Sequence, residues 1–190
     1  FVHLPCPDCR NAACISAGNV ANDGIEDRVG AVCDVDVADA VAAQLPIGNL
    51  PWQTLGLSSG DTWGNRYSYW VSDSVSDNTA SFQLTDVLNA AQINTRIGAA
   101  ATAISTNAIA IIMSHGGNGY GAISTQNVLM PGVPVANIDE VENTDDDLVF
   151  VARPKTDVGV SVLVGEFDDI LVWMSEYELK AKMVEAGRLP

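Results

Sequence analysis

Positive charge is scarce in this chain. Nine Lys and Arg stand against 24 Asp and Glu, a formal net charge of −15. The nine are scattered. A phosphate-binding surface needs clustered cations, so nucleic acid is excluded as a partner, and an anionic membrane surface with it. Histidine is represented only by His3 and His115, and cysteine is absent after Cys33. No apolar run is long enough to cross a bilayer, and no signal peptide is recognisable. The first residue is Phe1 rather than Met, which predicts a segment removed upstream. Charged residues make up only 17 %, less than is usual. Asn, Ser, Thr and Gly must therefore supply much of the surface, a pattern common on secreted and cell-surface proteins.

The 190 residues are 47 % apolar, enough for one domain with its own core. The four cysteines, Cys6, Cys9, Cys14 and Cys33, fall in the first 33 residues. Cys6-Pro-Asp-Cys9 is a CxxC, but a zinc ribbon needs a second CxxC or a His pair at matching distance, and Cys14 and Cys33 do not form one. Two disulfides in an oxidising compartment fit better. Cys6–Cys33 with Cys9–Cys14 is the expected pairing, a short loop inside a long one.

Local patterns predict an α+β domain with an antiparallel sheet. Residues 1–50 read as irregular apart from a short helix over 37–45. Pro51 confines 50–57 to a strand edge or turn. Strands are expected over 66–72, 81–85, 107–113, 147–152 and 167–173. The stretch 86–103 fits a helix or a wandering loop, and 158–164 a strand or a loop. Residues 116–147 form a long loop, a feature usually tied to function. Ser175 and Glu178 form a capping box for a terminal helix, with Gly187 placed to end it.

The chemistry is thin. Ser114 beside His115 suggests a hydrolase, but adjacent residues at a strand end point to opposite faces, and no G-x-S-x-G elbow exists. A histidine before a glycine-rich turn is ordinarily a turn cap. Asp168 and Asp169, read as strand residues, cannot both aim at one substrate. Calcium is the better candidate, since hard cations take oxygen ligands around turns. Asp23, Glu26 and Asp27 around Gly24 offer one such set, and Asp145 and Asp147 another. Solvated turns explain both equally simply.

Several stretches fall into an ordered set: LPCPD (4–8), LPWQTLGL (50–57), DTWGNRYSY (61–69), SHGGNGYGA (114–122), ENTDDDLVFV (142–151) and FDDILVWMS (167–175). Together they resemble the soluble head of a type IV pilin-like protein. Asp61 through Tyr69 is similar to the strand-entry corner of type II secretion pseudopilins. The resemblance implies a non-enzymatic filament subunit of the periplasm or cell surface. Its partners would be other pilin or pseudopilin subunits, and an N-terminal helix absent from this chain would anchor it in the inner membrane. It also implies a structural corner at Asp61, Trp63 and Gly64, with Trp63 as a plug and Gly64 making room for its indole. The alternative is a calcium-binding surface or adhesion module that does not polymerise.

Overall fold

The computed structural model describes residues 3–10, 18–34, 47–77, 82–157, 159 and 165–188. The expected helix over 37–45, Cys14 and nearly all of 158–164 lie outside them.

The fold is α+β, with sheets that are mainly antiparallel. A small ribbon pairs β1 (Arg28–Val29) with β2 (Val32–Cys33). The main sheet has the order β3 (Ile47–Asn49), β4 (Ser68–Val71), β6 (Ala100–Ser114), β5 (Ala91–Ile97), β7 (Val149–Val151), and β8 (Ile170–Ser175) also pairs with β6. The helices are α1 (Trp52–Leu55), α2 (Asp73–Ser76), α3 (Ile138–Glu142) and α4 (Glu176–Glu185). β7 runs parallel to β5, the one departure from antiparallel pairing among these strands.

β6 organises the sheet. β4 and β8 both pair with Ala110 through Met113, so they occupy its two opposite edges there. Its first half pairs only with β5 among the described residues, across a turn at Gly98 and Ala99. One edge of that half therefore has no partner strand among the described residues.

Alternation along β4 divides the core. Tyr69 and Val71 pack with Cys6, Cys33, Leu50, Phe82, Ile109 and Leu179, and Tyr67 joins them. Trp70 points the other way, toward Ala91, Ile93, Ile111 and Phe150. A pairing irregularity between Ala108 and Ala110 sends Ile109 and Ala110 to the same cluster. Burying each large apolar side chain contributes about 1.5–3 kcal/mol.

Two sequence expectations are corrected. Of the stretch expected as a strand over 81–85, the described residues 82–85 are not one: Gln83 N–H donates to the Asp86 carboxylate at 2.7 Å, closing a local turn, while Phe82 enters the core. Of the ambiguous 86–103, residues 86–90 are loop, and the rest is β5 and the start of β6 instead of a helix. Alanine gives no periodic contrast, and pairing decided the outcome. The terminal helix forms as read. Ser175 caps the Glu178 N–H, and Gly187 N–H and Arg188 N–H donate to Val184 and Met183 carbonyls, a Schellman ending.

The N-terminal segment is fastened by a Cys6–Cys33 disulfide and by an antiparallel bridge between Asp8 and Asn49. Asp8, fully buried, accepts from Asn22 N–H at 2.8 Å and Gly24 N–H at 2.9 Å. Gly24 has φ +84, and a Cβ there would lie 2.2 Å from Trp52 Cε2. Only glycine fits that contact.

Candidate functional site

Three separated stretches meet beside the end of β6: residues 116–118, α3 with its flanks, and the segment entering β8. Asp168 accepts from Gly117 N–H at 2.9 Å and Asn118 N–H at 3.2 Å. Glu140, buried on α3, accepts from Asn118 Nδ2 at 2.8 Å, Asn137 Nδ2 at 2.9 Å and Asp168 N–H at 3.1 Å. Asp169 accepts from Asn143 Nδ2 at 2.8 Å. Glu140, Asp168 and Asp169 each place one carboxylate oxygen within 4.8 Å of the other two. Such a trio can hold a metal ion. The expectation that Asp168 and Asp169 diverge is thereby corrected. They lie between the Thr156–Phe167 bridge and the start of β8, so strand alternation does not govern them.

Beside the trio, Asp139 is fully buried and takes two arginines, Arg96 Nε and Arg153 Nε, each at 2.5 Å. Arg153 also lies over the Phe167 ring at 4.3 Å. Four carboxylates thus share this region with two guanidinium groups. Asp169 bears the consequence: burial pushes its carboxyl up to about 8, against the Asn143 hydrogen bond, with Glu140 and Asp168 adding to the rise. Asp8 behaves similarly, with burial raising it to about 7.

These shifts fix a pH dependence. Unfolded aspartates lose their protons near the ordinary value of 3.8, while folded Asp169 and Asp8 hold theirs until about 8 and 7. The folded state therefore binds more protons in that window, and stability falls as pH rises through it. Urea midpoints should decline from about pH 4 to about pH 8. Asp169→Asn should flatten the upper part of the decline; an unchanged profile in that variant would refute the assignment.

The residues expected from sequence are placed differently. Asp23 accepts from Ile25 N–H, Glu26 from Cys6 N–H and Arg28, and Asp27 from Cys9 N–H. Each serves partners of its own. Asp145 is pushed up to about 6 by burial, then by Asp147 and Glu142, and Asp147 accepts from Val149 N–H at 2.6 Å. Neither set belongs to the trio. Ser114 and His115 take separate partners: the Ser114 hydroxyl donates to Asp61 at 2.6 Å, and His115 Nε2 meets Ser68 Oγ at 2.6 Å. His115 is a fully buried ring, and burial drives its pKa down to about 3 against a backbone hydrogen bond with Tyr120 in the turn that follows, so it is neutral. Of the cysteines, Cys6 and Cys33 form the expected bridge and Cys9 is buried; Cys14, its expected partner, lies outside the described residues.

The corner at Asp61 is organised by its carboxylate, which accepts from Trp63 N–H and Asn65 N–H, both at 2.9 Å. Gly64 has φ +85 and open space around it, so glycine is required there by backbone conformation, not by the indole. Trp63 is no plug: it is 52 % exposed. Its ring lies against Gly117, where a Cβ would stand 3.1 Å from Nε1. Together with Arg153, Lys155, Asp168 and Asp169 it lines a cleft of about 330 Å³.

Glu140 stands in the sequence as one carboxylate among several, and its link to Asn118 and Asp168 is not legible there because no local spacing joins 118, 140 and 168. Comparison with protein-family models, with curated proteins and with solved structures finds no match for this chain.

Proposed function

We propose that the chain is the globular head of a pilin-like filament subunit, exported, without enzymatic activity, and acting through contacts with other subunits. One observation carries the reading. From Ile97 to Ile138 the sequence has no charged side chain, in a molecule of net charge −15. That stretch exposes Ile97, Ile104, Val128, Leu129 and Val135, and it includes the edge of β6 that has no partner strand among the described residues. Unpaired strand edges template pairing with other chains, and proteins usually guard them with charge or proline. Exposed apolar patches mark interaction surfaces. Two strongly acidic copies approach most easily where neither bears charge. The ordered motifs from LPCPD to FDDILVWMS and the disulfide agree with an exported pilin-like head.

The test is twofold. The coding sequence upstream of Phe1 should contain a Gly-Phe-x-x-x-Glu start leading an apolar helix; a plain signal peptide there sinks the filament reading. In sedimentation velocity, concentration-dependent association of the head should be abolished by Ala101→Lys with Ala103→Lys. Association unchanged by both lysines would remove the edge from the argument.

The Glu140, Asp168 and Asp169 trio favours a second reading, a calcium-binding surface module. Calcium should then raise Tm at alkaline pH, EDTA should reverse the rise, and Asp169→Asn should abolish it. A Tm indifferent to calcium ends that reading.

A further inference from the structure

We propose that the cleft beside Trp63 binds a neutral saccharide, with a sugar ring stacked on the indole and its hydroxyls shared between Arg153 and Asp168. The inference needs only the cleft and does not rest on the filament reading.

The cleft volume of about 330 Å³ lies at the small end of ligand sites, room for one or two sugar rings. Ile170 and Leu171 supply apolar wall. Trp63 stands half exposed at its side, a flat apolar platform held by the Asp61 turn and by close approach to Gly117. Aromatic faces of this kind bind apolar C–H surface while leaving polar groups at the edge free.

The polar lining selects the ligand. Arg153 has a side chain only 4 % exposed, yet its Nη2 is buried without a hydrogen-bond partner among the described residues, and Asp168 brings an acceptor to the same lining. Buried polar groups are normally satisfied. A donor on one residue and an acceptor on the other ask for a ligand that both accepts and donates. The lining carries both signs, Arg153 and Lys155 against Asp168, so an organic anion or cation large enough to fill the cleft meets like charge on one side. A neutral polyol avoids both repulsions, and a sugar ring adds the apolar face that Trp63 can cover.

The test uses the chain as it stands, with methyl glycosides of glucose, galactose, mannose and N-acetylglucosamine and their linear trisaccharides as probes. Saturation-transfer NMR should show ring protons of at least one probe against the protein, and tryptophan fluorescence should change saturably with it. Trp63→Ala should weaken binding at least about tenfold, as for an aromatic anchor, while Trp63→Phe keeps part of it. Trp63 is exposed enough that its loss leaves the fold intact, which an unchanged Tm would verify. Val87→Ala, at a side chain 94 % exposed outside the cleft, should leave binding as it was. Absence of saturable binding with every probe overturns the proposal, and so does binding that Trp63→Ala does not weaken.

Discussion

Replacing Cys6 and Cys33 together with alanine should lower stability by about 3.5 kcal/mol, the chain-entropy value for a loop of this length. The bridge spans a sequence separation of 27. For a chain of 190 residues that corresponds to a fall in Tm of about 7–14 °C. The double substitution leaves the other cysteines untouched, so the effect belongs to this bridge. Cys6 also packs in the core with Tyr69 and Val71, so its truncation adds a packing loss on top of the loop entropy. Calorimetry on the oxidised chain and the double variant measures the difference. A shift of less than about 2 °C would mean that the bridge closes a loop already held by Asp8 and its backbone partners.

The second large effect centres on Asp139. Asp139→Ala leaves Arg96 and Arg153 facing each other without their shared carboxylate, with side chains 15 % and 4 % exposed. Removing one partner of a buried ion pair strands the remaining charge, at a cost of about 3–5 kcal/mol. Arg96→Ala should cost less, because Asp139 keeps Arg153. The ordering matters more than the size: Asp139→Ala must exceed Arg96→Ala in urea unfolding, with m unchanged. Equal losses would show that Arg153 finds another counter-charge, and Glu140 and Asp169 are the neighbours to supply one.

How far the sequence carried the reading differs between fold and site. β4, β7, β8 and α4 announced themselves through local signals: aromatic and β-branched runs, a Ser cap and a closing glycine. β5 did not, because Ala90, Ala91, Ala99, Ala100 and Ala101 give alternation nothing to contrast, and only pairing along β6 made a strand of that stretch. The disulfide was legible because every cysteine fell in one short region. The carboxylate trio was not. Asp168 and Asp169 were visible as a pair, but their convergence depends on the irregular segment before Ile170, and Glu140 arrives from a helix placed by the long loop. Trp63 stood out from the start, yet whether an indole plugs a corner or faces solvent is decided by Gly117, more than fifty positions away.

The Cys6–Cys33 bridge has a mechanical side. Tension drawn along the chain from its start enters at Cys6 and leaves at Cys33 across a Cα separation of 5.2 Å, bypassing everything between. A stretched chain spans at most about 3.6 Å per residue. While oxidised, the bridge therefore withholds at most about 92 Å of extensible length, and Asp8, Gly24 and the small β1–β2 ribbon lie within that unloaded loop. While oxidised, the segment between the two cysteines carries none of that pull, and a reducing environment would release the slack.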